Sequence, residues 1–501
     1  MTAKVLTVSF IGIEVKEVEV QVQIVPGLPN VSVVGLPDKT VGESRERIKA
    51  AFHAMGLGFP QRRVIINLAP ADLLKEGSHY DLAIALGVLL ELRVLRQQDL
   101  DEYYVLGELS LDGTINQVNG VLPAAIGANA CNKGIVCPVA NGNEAVWSGN
   151  KNILATKSLT ELINHFKTTQ VLKQPALEVT NIQPTYLDMK DIKGQKFAKR
   201  ALEIAAAGGH HMLMSGPPGA GKSMLAKRLP SLLPELTIQE ILEISIIASI
   251  AGQLKGRNIM NIRPFRDPHN SASMPSIIGG GRTAKPGEVT LAHLGVLFLD
   301  ELPEFPRNLL ESLRQPIEAG NITIARVHSH VTYPARFQLI AAMNPCRCGY
   351  FGDINNSCTR APGCAQEYQS RISGPLFDRF DLRVEMQAIR AFEIEESDTE
   401  SSEVVAKRVK AAREIQAMRY QDAIVSLNSQ ADGEMLYKQA MLDDDCKELL
   451  KSAMEKFSLS MRGYNRILRV ARTIADLGNC EKILQKHVAE ALNFRLIRIR
   501  A

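Results

Sequence analysis

Gly216-Pro217-Pro218-Gly219-Ala220-Gly221-Lys222-Ser223 is a complete G-x-x-x-x-G-K-[ST] phosphate loop, and its surroundings decide the fold. The apolar Met212-Leu213-Met214 before it reads as a strand, and Met224 to Leu229 after it reads as a helix. A strand feeding a glycine-rich turn into a helix N-terminus aims backbone N–H groups and the positive end of the helix dipole at one point, which suits a β-phosphate. Lys222 offers charge for the β- and γ-phosphates, and Ser223 offers a hydroxyl for Mg²⁺. With strand, loop and helix all in place, a plain glycine-rich turn is the weaker reading.

Outward from the loop, Gly295-Val296-Leu297-Phe298-Leu299-Asp300-Glu301 reads as a buried strand ending in two carboxylates, about 80 residues on. Asp300 is then placed to reach magnesium through its water shell, and Glu301 to polarise an attacking water. A further strand, Phe337 to Met343, ends at Asn344, whose amide either orients that water or makes a turn before Pro345. Strands and helices alternate through residues 186–390, as a parallel sheet requires, so the fold class is α/β.

On either side the patterns change. Residues 1–165 read as an α+β unit: Val18, Val20, Val22 and Ile24 alternate with polar residues, Asp38 opens a helical run to Met55, and a strand (Val64 to Leu68) and helix (Tyr80 to Leu90) follow. Residues 166–185 hold two prolines without periodicity and read as a linker. Residues 391–501 are helical in pattern, with an acidic stretch from Glu393 to Glu403 that reads as solvated.

At 501 residues the chain predicts two to four domains, and 45% hydrophobic with 22% charged residues excludes a disordered or collagenous protein. No apolar run reaches the length of a membrane span, and the N-terminus lacks the pattern of a signal peptide. A cytoplasmic protein with no membrane partner is expected. The net charge of +4 permits a local basic surface without establishing a nucleic-acid partner.

The cysteines divide into two sets. Cys131, Cys137, Cys446 and Cys480 are scattered and read as ordinary thiols, whereas Cys346, Cys348, Cys358 and Cys364 fall within 19 residues. Four soft ligands in a loop too short for its own core suit tetrahedral Zn²⁺, with free thiols as the alternative. The phosphate loop lies elsewhere in the chain, so nucleotide binding is expected to be largely independent of this cluster. Between the two terminal strands, Ile322 to Thr332 alternates around a polar tip; Arg326, His328 and His330 there either meet nucleic-acid phosphates or are simply solvated.

Phosphate loop, Asp-Glu strand and Asn strand in this order resemble the AAA+ ATPases. Pro264 to Glu301 (PFRDPHNSASMPSIIGGGRTAKPGEVTLAHLGVLFLDE), with Gly27 to Ala51 and Arg469 to Leu477, is similar to the ComM (YifB) proteins of the magnesium-chelatase-like branch. The resemblance implies an αβα AAA+ core with a helical lid over residues 391–501. It makes Asn344 sensor 1, Arg379 in Phe377-Asp378-Arg379-Phe380-Asp381 an arginine finger, and Arg462 sensor 2. From spacing alone the weaker alternative for Arg379 is a surface salt bridge with Asp378 and Asp381, and that for Arg462 is a solvated helix residue. The resemblance also implies a hairpin at Ile322–Thr332 pointing into a central pore, and a four-cysteine cluster.

The N-terminal unit resembles the proteolytic domain of Lon through Lys75-Glu76-Gly77-Ser78-His79 and Leu106 to Gly113. Aligned on those motifs, His79 stands where the catalytic serine belongs and Ala124 where the lysine belongs. Ser78 is one position away, and no lysine lies near Ala124 until Lys133. A serine needs a base to deprotonate it, so this unit is expected to be structural or substrate-guiding.

The expected function is a Mg²⁺-dependent ATPase in a homohexameric ring, and by the resemblance a helicase on single- and double-stranded DNA. Its role would be branch migration as incoming DNA is integrated in natural transformation, with recombination proteins as possible partners. The alternatives are a chelatase-type remodelling ATPase acting on a protein or metal-insertion partner, an ATP-dependent protease, and a non-hydrolysing scaffold. His79 and Ala124 disfavour the protease, and Lys222 and Glu301 disfavour the scaffold.

Overall fold

The computed structural model describes residues 2–177, 186–254, 259–281, 284–325, 330–351, 358, 360–387, 399–423 and 425–496. The N-terminal unit is built on seven strands: β1 (Ala3–Ile11), β2 (Glu14–Val25), β3 (Asn30–Val34), β4 (Arg63–Ala69), β5 (Tyr103–Val105), β6 (Gly134–Pro138) and β7 (Ile153–Thr156). Their order is β3-β4-β2-β1-β5-β6-β7, and the sheet is mixed: β2 runs antiparallel to β1 and β4, and the other pairs are parallel. Val18, Val20 and Val22 of β2 are buried, the half-buried alternation expected from the sequence.

Helix α1 (Lys39–Ala54) is capped by the Asp38 carboxylate, which accepts from the Val41 N–H at 2.8 Å, and buries Val41, Ile48 and Phe52. Helix α2 (Asp81–Glu91) is apolar and lies against β1 and β2. Helix α3 (Val121–Ala130) carries the buried Ala124.

The second unit begins with α4 (Lys196–Gly208) and holds a five-stranded, all-parallel sheet of β8 (Met212–Ser215), β9 (Phe265–Arg266), β10 (Val296–Leu299), β13 (Gln338–Met343) and β14 (Leu382–Glu385). Between β10 and β13 the chain forms a separate antiparallel hairpin, β11 (Asn321–Ala325) with β12 (His330–Pro334). The sheet order is β9-β10-β13-β8-β14. Every residue of β8, β10 and β13 is buried, because helices or the hairpin layer cover both faces; this is why those strands read as continuous apolar runs rather than alternations.

Helix α5 after the phosphate loop differs from expectation. It starts at Lys222 and ends at Ala226, and Leu229–Leu232 forms a 3₁₀ turn. Pro230 has no N–H to donate to the Ala226 carbonyl four residues earlier, so the α-helical ladder stops there.

Among the described residues five helices close the chain: α7 (Ser402–Arg419), α8 (Gly433–Ala440), α9 (Asp444–Phe457), α10 (Met461–Leu477) and α11 (Gln485–Leu496), after α6 (Ile238–Ile250) in the core. Their apolar faces join one face of the five-stranded sheet in a shared core that includes Leu202, Met214, Phe298, Val409, Leu468 and Phe494. No helix among the described residues is long and apolar enough to cross a membrane.

The N-terminal unit rests on the second unit at two points. The β1–β2 turn lies on the hairpin base: Ile11 and Ile13 pack with the cluster holding Ile322, Val331 and Tyr333. A Cβ on Gly12, which has φ +66°, would come within 2.8 Å of Val331 Cγ1, so only glycine permits this approach. At the second point, the buried Glu144 carboxylate accepts from Ser249 of α6 and from the Leu122 N–H of α3. The tip residues Arg326 and His328 lie outside the described residues, as does the acidic stretch from Glu393 to 398.

Candidate nucleotide site and cysteine cluster

The site lies at the C-terminal ends of the parallel strands, where α/β sheets present their loops. Gly219 (φ +78°) and Gly221 (φ +87°) hold the left-handed backbone that turns the loop into α5, and a Cβ on either would meet open space. Gly216 is required for another reason: a Cβ there would lie 2.3 Å from the Met386 carbonyl at the end of β14.

The Lys222 ammonium donates to the carbonyls of Gly216 at 2.7 Å and Pro217 at 2.9 Å, and to Asn344 Oδ1 at 3.1 Å. Burial pulls its pKa down, and the carboxylates of Asp300 and Glu301 oppose that shift. Ser223 donates its hydroxyl to Asp300 Oδ2 at 2.6 Å, so the two oxygen ligands expected for magnesium already stand together. Hard oxygen donors at a loop lined by backbone N–H groups fit a divalent cation carried by a polyphosphate.

Glu301 follows in a left-handed conformation, φ +52°, which swings its carboxylate out of line with the strand. Its Oε2 accepts from Asn270 Nδ2 at 3.0 Å. Sequence reading missed Asn270. It lies within the Pro264–Glu301 stretch, but no spacing rule joins a loop amide to a carboxylate 31 residues later.

The two arginines stand apart from this cluster. Arg379 is only 5% exposed; it donates to the Pro375 carbonyl and pairs with Glu318, while its buried Nε has no hydrogen-bond partner among the described residues. The pairing with Asp378 and Asp381 that spacing allowed does not form. Asp378 meets Arg383 and Arg495 instead, and Asp381 meets His210 and Arg466. Arg462 is exposed in the first turn of α10. Burial lowers the pKa of Arg379, with the Glu318 carboxylate opposing the shift and the neighbouring positive charges of Arg314 and Arg466 adding to it.

The four clustered cysteines converge. Their sulfur atoms all lie within 4.8 Å of one another, against an edge of about 3.8 Å for a tetrahedron of thiolates around zinc. The Tyr350 N–H and the Cys346 thiol draw the Cys348 thiol down to about 7. Although the phosphate loop lies elsewhere in the chain, the cluster is close to it in space. Cys346 stands two residues after Asn344, and a Cβ on Gly349 would lie 2.6 Å from Pro218 Cδ, so the cysteine loop packs directly on the phosphate loop.

In the N-terminal unit, Ser78 donates to Glu108, and the fully buried Lys75 donates to the Pro70 carbonyl. His79 is buried, with Nε2 2.9 Å from the Val8 carbonyl, and burial lowers its pKa to about 4. No lysine contacts Ser78 among the described residues. His330, the one described member of the basic hairpin set, is exposed at the start of β12.

Family models described as "Magnesium chelatase, subunit ChlI", "Subunit ChlI of Mg-chelatase" and "Magnesium chelatase, subunit ChlI C-terminal" match residues 188–394, 18–141 and 399–495 respectively. The chain is 40% identical over 493 residues to the competence protein ComM of Haemophilus influenzae, covering 97% of this chain and 95% of that one. It is likewise 40% identical over 489 residues to the uncharacterized protein YifB of Escherichia coli, covering 97% and 96%. The magnesium-chelatase 38 kDa subunit of Rhodobacter capsulatus is 27% identical over 196 residues, covering 36% of this chain and 56% of that subunit. With an αβα phosphate-loop core, a helical C-terminal domain and near full-length similarity, the chain belongs to the ComM/YifB family of magnesium-chelatase-like AAA+ ATPases.

Proposed function

We propose that this protein is a ring-forming, Mg²⁺-dependent DNA translocase that drives branch migration when incoming DNA is integrated. The observation that carries the ATPase part is the convergence of Lys222, Ser223, Asp300, Glu301 and Asn344 on one loop. In this reading Lys222 neutralises phosphate charge, the N–H groups of residues 216–223 position the polyphosphate, and Glu301 accepts a proton from the attacking water. Ser223 and Asp300 hold magnesium, which supplies Lewis-acid neutralisation of the phosphate oxygens. Asn344 orients the water from the adjacent strand end.

Arg379 of one subunit completes the site of the next in a homohexamer, which requires its side chain to leave Glu318. Arg462 serves as sensor 2. Zinc on Cys346, Cys348, Cys358 and Cys364 orders the loop behind Asn344.

DNA as the substrate is supported by the full-length relative named a competence protein and by the hairpin, whose Arg326, His328 and His330 would meet phosphate without reading sequence. The β1–β2 turn on the hairpin base supports a guiding role for the N-terminal unit. ATP turnover should rise with single- or double-stranded DNA and not with tetrapyrrole or unfolded protein. Stimulation by tetrapyrrole alone would favour the chelatase-type reading, and no response to DNA would overturn this one.

A further inference from the structure

The carbonyls and carboxylates of Asp378-Arg379-Phe380-Asp381 are held by the C-terminal helices. Arg466, one turn after Arg462 on α10, donates through Nη1 to the Arg379 carbonyl at 2.8 Å and to Asp381 Oδ1 at 2.5 Å. Arg495 of α11 donates to the Phe380 carbonyl at 2.6 Å and reaches Asp378 Oδ1 at 3.2 Å. Asp381 is only 3% exposed and is closed on its other side by His210 Nδ1 at 3.1 Å. Burial opposes the charge on Asp381, but Arg466 and His210 outweigh it and hold the carboxyl well below its ordinary range.

Charge-assisted hydrogen bonds to a carbonyl fix its direction, and a buried ion pair is costly to break on one side. The backbone that carries Arg379 therefore moves with α10 and α11. The Arg379 side chain is less firmly held, because its partner Glu318 is itself 60% exposed.

We propose that Arg466 is a positioning residue for the arginine that one subunit offers to the nucleotide of its neighbour: it ties the carbonyl of Arg379 to the helical domain, so movement of that domain in one subunit sets hydrolysis in the next. This rests on Arg379 acting across the subunit interface.

The test uses full-length chains in mixed rings. Arg466→Gln should lower kcat about tenfold or more with nucleotide KM little changed, as for a contact that matters only in the transition state. Arg466→Lys, whose ammonium can still serve both acceptors, should retain more turnover. Mixing Arg466→Gln with Lys222→Ala should restore activity, because the first contributes an intact phosphate loop and the second an intact Arg379. Arg379→Ala mixed with Lys222→Ala is the control and should also recover.

Recovery in the control but not with Arg466→Gln would show that Arg466 serves its own subunit or merely its fold, and would overturn the proposal while leaving the finger in place. No recovery in the control would remove the finger and the proposal together. Wild-type turnover of Arg466→Gln alone would also overturn it.

Discussion

In the proposed function Lys222, Glu301 and Arg379 have distinct roles, and single substitutions should separate them. Lys222→Ala should abolish nucleotide binding. Glu301→Gln should bind ATP with near-native affinity and lose about 10²–10⁴-fold in turnover, because only the proton acceptor is gone. Equilibrium binding beside steady-state hydrolysis checks both, and wild-type turnover in either variant would remove the site assignment.

Arg379→Ala should cost on the order of 10³-fold in kcat if it acts across subunits. The phosphate loop was legible because its chemistry needs contiguous residues, and the Asp-Glu pair because it ends an apolar strand. Asn270 on Glu301 and Glu318 on Arg379 were not legible, because each contact joins loops or helices that only the tertiary fold brings together.

Among elements, the turn at Gly349, three residues after Cys346, lies against Pro218 of the phosphate loop. Sequence separation suggested independence, but Gly349 against Pro218 predicts coupling. Serine at both Cys346 and Cys358 should remove bound zinc and, in the same protein, weaken nucleotide binding several-fold. Metal content and a nucleotide titration decide this; loss of zinc with unchanged affinity would uncouple the two loops.

The second element test concerns the β1–β2 turn. Gly12→Val would place side-chain atoms into Val331 and within 3.2 Å of the Thr332 carbonyl, displacing the hairpin. DNA-stimulated hydrolysis should fall while hydrolysis without DNA persists; equal loss of both would mean that the turn supports the whole fold instead. Of the elements read from periodicity, β2, α1, β4, α2, β8, β10 and β13 stand where the pattern put them, α5 is shortened by the 3₁₀ turn at Pro230, and short strands such as β5 and β9 gave too few residues for a period to show. The seating of one unit on the other was not legible, since it depends on close backbone approach rather than on a residue pattern.

For the whole molecule, the buried His79 and the part-buried His211 should make stability depend on pH. Burial is the main cause for both His79 and His211, and each falls from 6.5 to about 4. His211 Nδ1 also accepts the Leu339 N–H at 3.0 Å, which requires that nitrogen to be unprotonated. The unfolded chain takes up protons near pH 6.5 while the fold does not, so their stabilisation is complete above that pH and is lost as pH falls toward 4. At about 1.4 kcal/mol per unit, each contributes on the order of 3 kcal/mol at most. Urea midpoints should be flat above about pH 7 and decline below 6.5; a flat profile down to pH 4 would mean that neither histidine is held neutral.

In the proposed function ATP hydrolysis moves DNA strands. The most direct measurement is migration of a labelled branched DNA junction by the purified full-length protein with Mg²⁺ and ATP. The branch point should move at a rate that follows ATP turnover, and Glu301→Gln should bind the junction without moving it. A protein that hydrolyses ATP yet leaves the junction in place would not be a branch-migration motor.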